Sequence, residues 1–383
     1  MKIVGVAMVK NESDIIEPFV RHNLALVDHL HILLHASVDP SGEILDRLAG
    51  EGVAVSVEHE ADFVFNKQSR FNAAVASAIE RHRPDFVVPF DADEFIAAES
   101  RAVLERELAR IPRDGWLAVP WTSYVPTEDD DPAEPNPIKR MHYCRVLPNE
   151  IGEPVKSFFR AETFADGRGQ LTHGQHRLLR ADGSIYPRIP AEDLTLAHFP
   201  VRSIEQLASK TMAGWLARRV SEDYQPRASH YWNSLNTPLA GRRTFAELRA
   251  VAERYHIDEE LQNVEVTLRP LRTNAQELRY GALIEVDTLA RVYRQAQDLA
   301  ERLGSISSIV AREGIDSARM NQIIQQRAQA LAEREALHEK LLIQAAHIKR
   351  RITRRNRTIK ILGSVAAVLL FCLALAVYFL AAR

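Results

Sequence analysis

The chain has 383 residues, 46% hydrophobic and 26% charged, with a formal net charge of −2. That is enough apolar material for at least one full domain core, and the length suits two or three units. Near-neutral charge gives no overall electrostatic ground for nucleic-acid binding, and two cysteines in unlike surroundings, Cys144 and Cys372, support neither a disulfide framework nor a zinc site.

The N-terminal stretch MKIVGVAMVKNE lacks the apolar core of a secretory signal and reads as a strand starting almost at residue 1. The pattern then alternates. DIIEPFVRHNLALV is an amphipathic helix, HLHILLHA a strand, GEILDRLAGEG a helix, VAVSVEH a strand, QSRFNAAVASAIERH a helix and DFVVPF a strand. Apolar strands separated by amphipathic helices predict a parallel sheet covered on both faces, in which ligands bind beyond the carboxyl ends of the strands.

Asp91, Asp93 and Glu94 stand at that end of the DFVVPF strand. Two carboxylates one residue apart in a turn repel each other unless a cation is present, and a divalent ion there keeps positions open for phosphate oxygens. The same residues also suit a solvated turn or a helix N-terminus.

Downstream, WLAVPW continues the sheet, and TSYVPTEDDDPAEPNPIKR is an acidic, proline-rich surface loop. VKSFFR, THGQHRLL and PAEDLTLAHFPVRS follow as short extended segments with polar ends. SIEQLASKTMAGWLARR is a helix opened by a Ser203–Gln206 capping box, with Lys210, Trp215 and Arg218 as candidates to frame an acceptor pocket; TFAELRAVAERYHI is a further helix, boxed by Thr244 and Glu247. Residues 285–348 have helix-forming composition, and Val286, Leu289, Tyr293, Ala296, Ala300 and Leu303 follow a heptad seam. A coiled-coil stalk that makes a homodimer and helices folded back on the globular part both satisfy that pattern. Residues 349–360 carry seven basic residues and no acid, and 361–380 are twenty uncharged residues, the length of a transmembrane helix. The positive-inside bias predicts a single-pass anchor at the cytoplasmic (inner) membrane, with the large N-terminal part on the cytoplasmic side.

Four stretches in order, VAMVKNESDIIEPFVRHNL, HASVDPSGEIL, NKQSRFNAAVASA and DFVVPFDADEFI, resemble the nucleotide-sugar-binding half of a GT-A glycosyltransferase of the family 2-like kind. The resemblance continues more loosely through LAHFPVRSIEQLASK. It implies an α/β, Rossmann-like GT-A fold with a mostly parallel sheet, residues 1–115 forming the donor half and 116–280 the acceptor half. It also implies that Asn11, Glu12 and Asp39 surround base and ribose, and that Lys67 and Arg70 face the diphosphate, Arg70 being the stronger candidate. Asp93 would hold a Mn²⁺ or Mg²⁺ ion, Asp91 would contact ribose or a metal-bound water, and His198 would complete the metal sphere. Glu192 or Asp193 would take the acceptor hydroxyl's proton, with His173 and His176 as runners-up for metal or acceptor binding. The residues themselves leave alternatives: Asn11 and Ser13 as helix caps, Asp39-Pro40 as a turn. The function so implied is metal-dependent, inverting transfer of a sugar from a nucleotide-diphosphate donor to a hydroxyl of a glycan or lipid-linked acceptor. The alternative is a non-catalytic scaffold of a glycan-assembly complex. A phosphotransferase is disfavoured because the chain has no G-x-x-x-x-G-K-[ST] sequence.

Overall fold

In a computed structural model the described residues are 1–60, 67–148, 154–219 (without the side chains of 212–219), 244–255, 257, 265–271, 276–284 and 294. The first half alternates as expected: β1 (Ile3–Val9), α1 (Ile16–Leu24), β2 (His29–His35), α2 (Ser41–Gly50), β3 (Val55–Glu60), α3 (Lys67–His82) and β4 (Phe86–Asp91). β3, β2, β1 and β4 lie side by side in that order, all parallel. Every residue of β1 is buried, because both faces of the strand are covered. Ile3, Ala7 and Val9 join a core with Phe19 and Val20 of α1 and Ile44 and Leu45 of α2, whereas Val4, Val6 and Met8 join Phe71, Ala74, Val75 and Ala78 of α3. Gly5 is needed for the close approach of its neighbours, since a Cβ there would lie 2.5 Å from Leu30 Cδ2 and 2.7 Å from Phe90 Cε2. The strand order reverses at β1, so a crevice opens at the carboxyl ends of β1 and β4.

The second half comprises β5 (Glu94–Ala97), α4 (Arg101–Ala109), β6 (Trp116–Val125), α5 (Pro137–Arg140), β7 (Tyr143–Val146), β8 (Val155–Arg160), α6 (Ala161–Phe164), β9 (Gly169–Leu171), β10 (Leu178–Arg180), β11 (Arg188–Pro190), β12 (Thr195–His198), α7 (Ile204–Arg219), α8 (Phe245–Glu253) and β13 (Thr267–Pro270). Here the sheet is mixed. β8 inserts antiparallel between β4 and β6, so the WLAVPW strand joins one place further out than a simple continuation. β8 pairs with β4 only at Phe86 and Val87. Pro89, two residues further on, has no N–H to offer a neighbour. β12 runs antiparallel to β5 and parallel to β6, which sets His198 opposite Glu94.

The segment 276–284 straps back onto the first two helices. The Glu17 carboxylate accepts the backbone N–H groups of Arg279 and Tyr280, each at 2.9 Å, and the Tyr280 hydroxyl donates to Glu51 at 2.6 Å. The chain divides into compact units Met1–Glu301 and Arg302–Arg383, so residue 280 lies inside the first. The stalk (285–348), basic segment (349–360) and apolar segment (361–380) predicted above lie outside the described residues, apart from Arg294, whose Nε donates to the Val38 carbonyl at 2.9 Å. Among the described residues, no helix is long and apolar enough to cross a membrane.

Candidate functional site

The loops after β1 and β2 meet at the crevice and are stitched together by short polar side chains. Asn11, with φ of 55°, accepts the Val38 N–H through Oδ1 at 2.8 Å and donates its own N–H to Ser37 Oγ at 3.0 Å. Ala36 is also left-handed, with φ of 43°. Two non-glycine residues held in that region at the ends of adjacent strands are strain of the kind that collects at binding sites. Asp39 spends both oxygens on backbone, accepting from Ser13 N at 2.9 Å and Ser41 N at 3.0 Å. It therefore braces the loop, while α1 has Ile15 at its N-cap and no side-chain cap from Asn11 or Ser13.

Glu12 and the neighbouring Asp14 turn toward Arg202, which follows β12. Its guanidinium is fully buried, forks onto Asp14 at 2.7 and 2.9 Å, pairs closely with Glu12, and donates to the Phe199 carbonyl at 2.9 Å. Burial raises the Glu12 carboxyl, with Arg202 and Lys210 pulling the other way. Arg202 also lies 3.8 Å from Asp93, so one buried cation joins the first loop to the strand-end acids.

Those acids are interleaved with cations. Asp91 takes Lys67 Nζ at 2.9 Å on one oxygen and Lys156 Nζ at 2.6 Å on the other. Asp93 takes Lys210 Nζ at 2.9 Å on Oδ2, and its Oδ1 lies 3.7 Å from His198 Nε2. Burial opposes ionisation of both aspartates, but the surrounding cations override it and hold both carboxyls well below the usual range. Glu94 differs. It is fully buried, accepts the Asp91 N–H at 2.9 Å, and lies 3.2 Å from Lys156. Burial pushes its carboxyl up to about 8, opposed by Lys156 and reinforced by the two aspartates, so at neutral pH it is largely a neutral acid. The three acids are thus two anions and one protonated group, and the carboxyl groups of Glu12, Asp14, Asp91 and Asp93 face four cations (Lys67, Lys156, Arg202, Lys210).

The structure brings Glu12, Lys67, Asp91, Asp93 and His198 together at the crevice, with Asn11 and Asp39 in the loops that border it. Arg70 instead pairs closely with Glu60 at the end of β3. Glu192 and Asp193 are not brought in: they are 68% and 63% exposed, paired with Arg110 at the end of α4 and Arg106 within it, and they precede Thr195, which lies opposite Ala97 rather than Glu94. His173 is exposed, and His176 Nδ1 is bonded to the Val155 carbonyl at 2.8 Å, its ring 5.6 Å from Trp121. Sequence reasoning missed Lys156 and Arg202. Lys156 lies in β8, where its ammonium also donates to Gln175 Oε1 at 2.6 Å.

Among the described residues, no three His, Cys, Asp or Glu side chains converge as a ligand set for a metal. Asp93 Oδ1 and His198 Nε2, 3.7 Å apart, are the pair able to flank a divalent ion that draws its other ligands from phosphate and water. Asp91, the other candidate, carries an ammonium on each oxygen.

The fold and site together define a doubly wound α/β protein with a charged crevice at its strand switch point. No family model matches the chain, and no curated protein does. Among solved structures, loose likenesses include the mannosyltransferase PcManGT from Pyrobaculum calidifontis in complex with GDP-Man and Mn²⁺, 13% identical over 85% of this chain and 84% of that one, with a TM-score of 0.35. Others are TarS 1–349 of S. aureus in complex with UDP, at 12% over 58% and 67% with a TM-score of 0.30, and HddC from Yersinia pseudotuberculosis complexed with GMP-PN, at 8% over 52% and 93% with a TM-score of 0.28.

Proposed function

We propose that the chain is a glycosyltransferase that moves a sugar from a nucleotide-diphosphate donor to a hydroxyl of a glycan or lipid-linked acceptor, at the cytoplasmic membrane face to which residues 349–380 would tether it. The observation that carries this reading is the cluster at the carboxyl end of β4, where Asp91 and Asp93 sit between ammonium groups and beside His198. It supports the resemblance drawn from the sequence at the residues that matter for a diphosphate. Asn11 and Glu12, with the 36–41 loop, border the space for base and ribose. Lys67 and Lys210 present cations where two phosphates would lie. A Mn²⁺ or Mg²⁺ ion held by Asp93 and His198 would neutralise the charge that develops on the departing nucleoside diphosphate. Arg202 keeps Asp93 in register with the first loop, and Trp121, its ring 4.2 Å from that of His198, fixes the imidazole.

The test is the full-length protein incubated with radiolabelled nucleotide sugars, with and without Mn²⁺. Transfer or donor hydrolysis is expected with at least one donor. No hydrolysis and no nucleotide binding across the panel would remove the proposal. The scaffold alternative separates from it through Asp93→Ala, which abolishes turnover in an enzyme and leaves a scaffold's complementation intact.

A further inference from the structure

Each strand-end aspartate is held by two cations of unlike burial. Lys156, 0% exposed, and Lys67, 26% exposed, both pair with Asp91. Arg202, 0% exposed, and Lys210, 20% exposed, both face Asp93. The inner member of each set comes from the body of the fold: Lys156 is also bonded to Gln175, and Arg202 forks onto Asp14. The outer members stand on helices that border the crevice, Lys67 as the first residue of the sixteen-residue α3 and Lys210 in α7.

Resting on the donor reading above, we propose that Lys67 and Lys210 are exchangeable counter-ions, each leaving its aspartate for the diphosphate of the donor. The site then takes a nucleoside diphosphate without a divalent ion, and Lys210 and a divalent ion are alternative partners of Asp93. The inner cations make the exchange possible. When Lys67 leaves, Asp91 keeps Lys156 at 2.6 Å; when Lys210 leaves, Asp93 keeps Arg202 at 3.8 Å and His198 at 3.7 Å. Neither aspartate is left as an isolated buried charge, which would be strongly unfavourable. The gain lies on the ligand side. Lys67 and Lys210 are themselves 26% and 20% exposed and reach the crevice, where a diphosphate offers several anionic oxygens and lies near the N-terminal end of α3, whose backbone dipole adds to the attraction.

Competition at Asp93 gives the proposal a signature that a purely structural lysine lacks. Titration calorimetry of the detergent-solubilised full-length chain would use UDP and GDP in turn, first in EDTA and then in Mn²⁺, together with Mn²⁺ alone. In EDTA one of the two nucleotides should bind, more weakly as salt rises, and Lys67→Met or Lys210→Met should each lower that affinity by about tenfold to a hundredfold. Lys210→Arg should restore most of it. Mn²⁺ alone should bind Lys210→Met several-fold more tightly than wild type, because Asp93 has lost the competing ammonium. Because Lys156 and Arg202 remain, both methionine variants should keep wild-type circular dichroism; if one does not fold, the other and the salt dependence of the wild type still decide. Binding that needs Mn²⁺ in the wild type, or EDTA affinities unchanged in both folded variants, overturns the exchange while leaving the donor reading in place. Absence of nucleotide binding under every condition overturns both.

Discussion

The two ends of the parallel sheet bury titratable groups in opposite ways. At the carboxyl end, Asp91 and Asp93 are ionised and interleaved with Lys67, Lys156, Lys210 and Arg202. At the amino end, three imidazoles converge on one hydroxyl: His29 Nε2, His31 Nδ1 and His82 Nε2 lie 2.9, 3.0 and 3.3 Å from Ser56 Oγ. Burial lowers all three, His29 down to about 4; the neighbouring rings add to the shift at His29 and His31, Lys2 and Arg81 add to it at His82, and Glu58 pulls His31 and His82 the other way. A hydrogen-bonded neutral cluster can close an edge of the sheet, but it offers nothing to an anionic ligand. The balanced ionic cluster holds charge that a ligand can redistribute. The proposed function rests on the end where charge is kept and paired.

The largest test of that contrast is Lys156→Met. It leaves Asp91 with Lys67 alone and Gln175 without its donor, and should cost about 2–3 kcal/mol in chemical denaturation. Glu94→Gln in the same pocket should cost under about 1 kcal/mol at neutral pH, because Glu94 is already largely protonated and the carboxamide oxygen still accepts the Asp91 N–H. Equal losses from the two changes would mean that the pocket is held by shape rather than by charge. Asp93→Ala should lower turnover by about a hundredfold or more, a loss typical of removing one member of a preorganised charged site, with little change in the melting temperature. A fold lost along with turnover would show that Asp93 is foremost a structural partner of Arg202.

The amino end should respond to acid. A histidine whose folded pKa is depressed contributes stability that is fully present above its unfolded value of about 6.5 and is lost as pH falls toward its folded value. The groups that face the cluster are Lys2 just before β1, Glu58 from β3 and Arg81 from α3. Between pH 6.5 and 4 the protein should lose on the order of 1 kcal/mol from this cluster after allowance for solvent at His29, and His82→Gln should flatten that limb. Denaturation midpoints across pH, compared for the two proteins, would reveal it; parallel curves would mean the three rings do not titrate together.

The alternation of strands and helices was legible because both faces of each strand had to be apolar, and β1 to β4 follow the expected order. The position of Asp91 and Asp93 followed from the same logic. Lys156 was not legible, since a single lysine in VKSFFR carries no pattern, and its meaning depends on β8 inserting between β4 and β6. One signal was present: Pro89, in an otherwise apolar central strand, has no N–H for a neighbour, and β8 pairs with β4 only before it, at Phe86 and Val87. Arg202 was hidden for a similar reason, because its partners Glu12 and Asp14 stand nearly two hundred positions earlier.

Glu192 and Asp193 illustrate the limit most sharply, and they carry the smallest predicted effect. The resemblance made them candidates for the acceptor base, but where they lie depends on the pairing of β12, which the residues alone did not give. The antiparallel register of β12 with β5 puts Thr195 opposite Ala97 and His198 opposite Glu94. At about 3.3 Å per residue, Thr195 is already about 10 Å from the charged cluster along the strand, and the two acids lie beyond it. Their carboxylates are bonded to Arg110 and Arg106 at 2.6 and 2.8 Å in exposed pairs, which contribute about 0–1 kcal/mol. Glu192→Gln and Asp193→Asn should therefore leave turnover within about twofold and stability within about 1 kcal/mol, singly and together. A loss of tenfold or more in turnover without a change in melting temperature would mean that the acceptor reaches around α4 to that edge of the sheet, and the contrast between a charged working end and a neutral closing end would have to be redrawn.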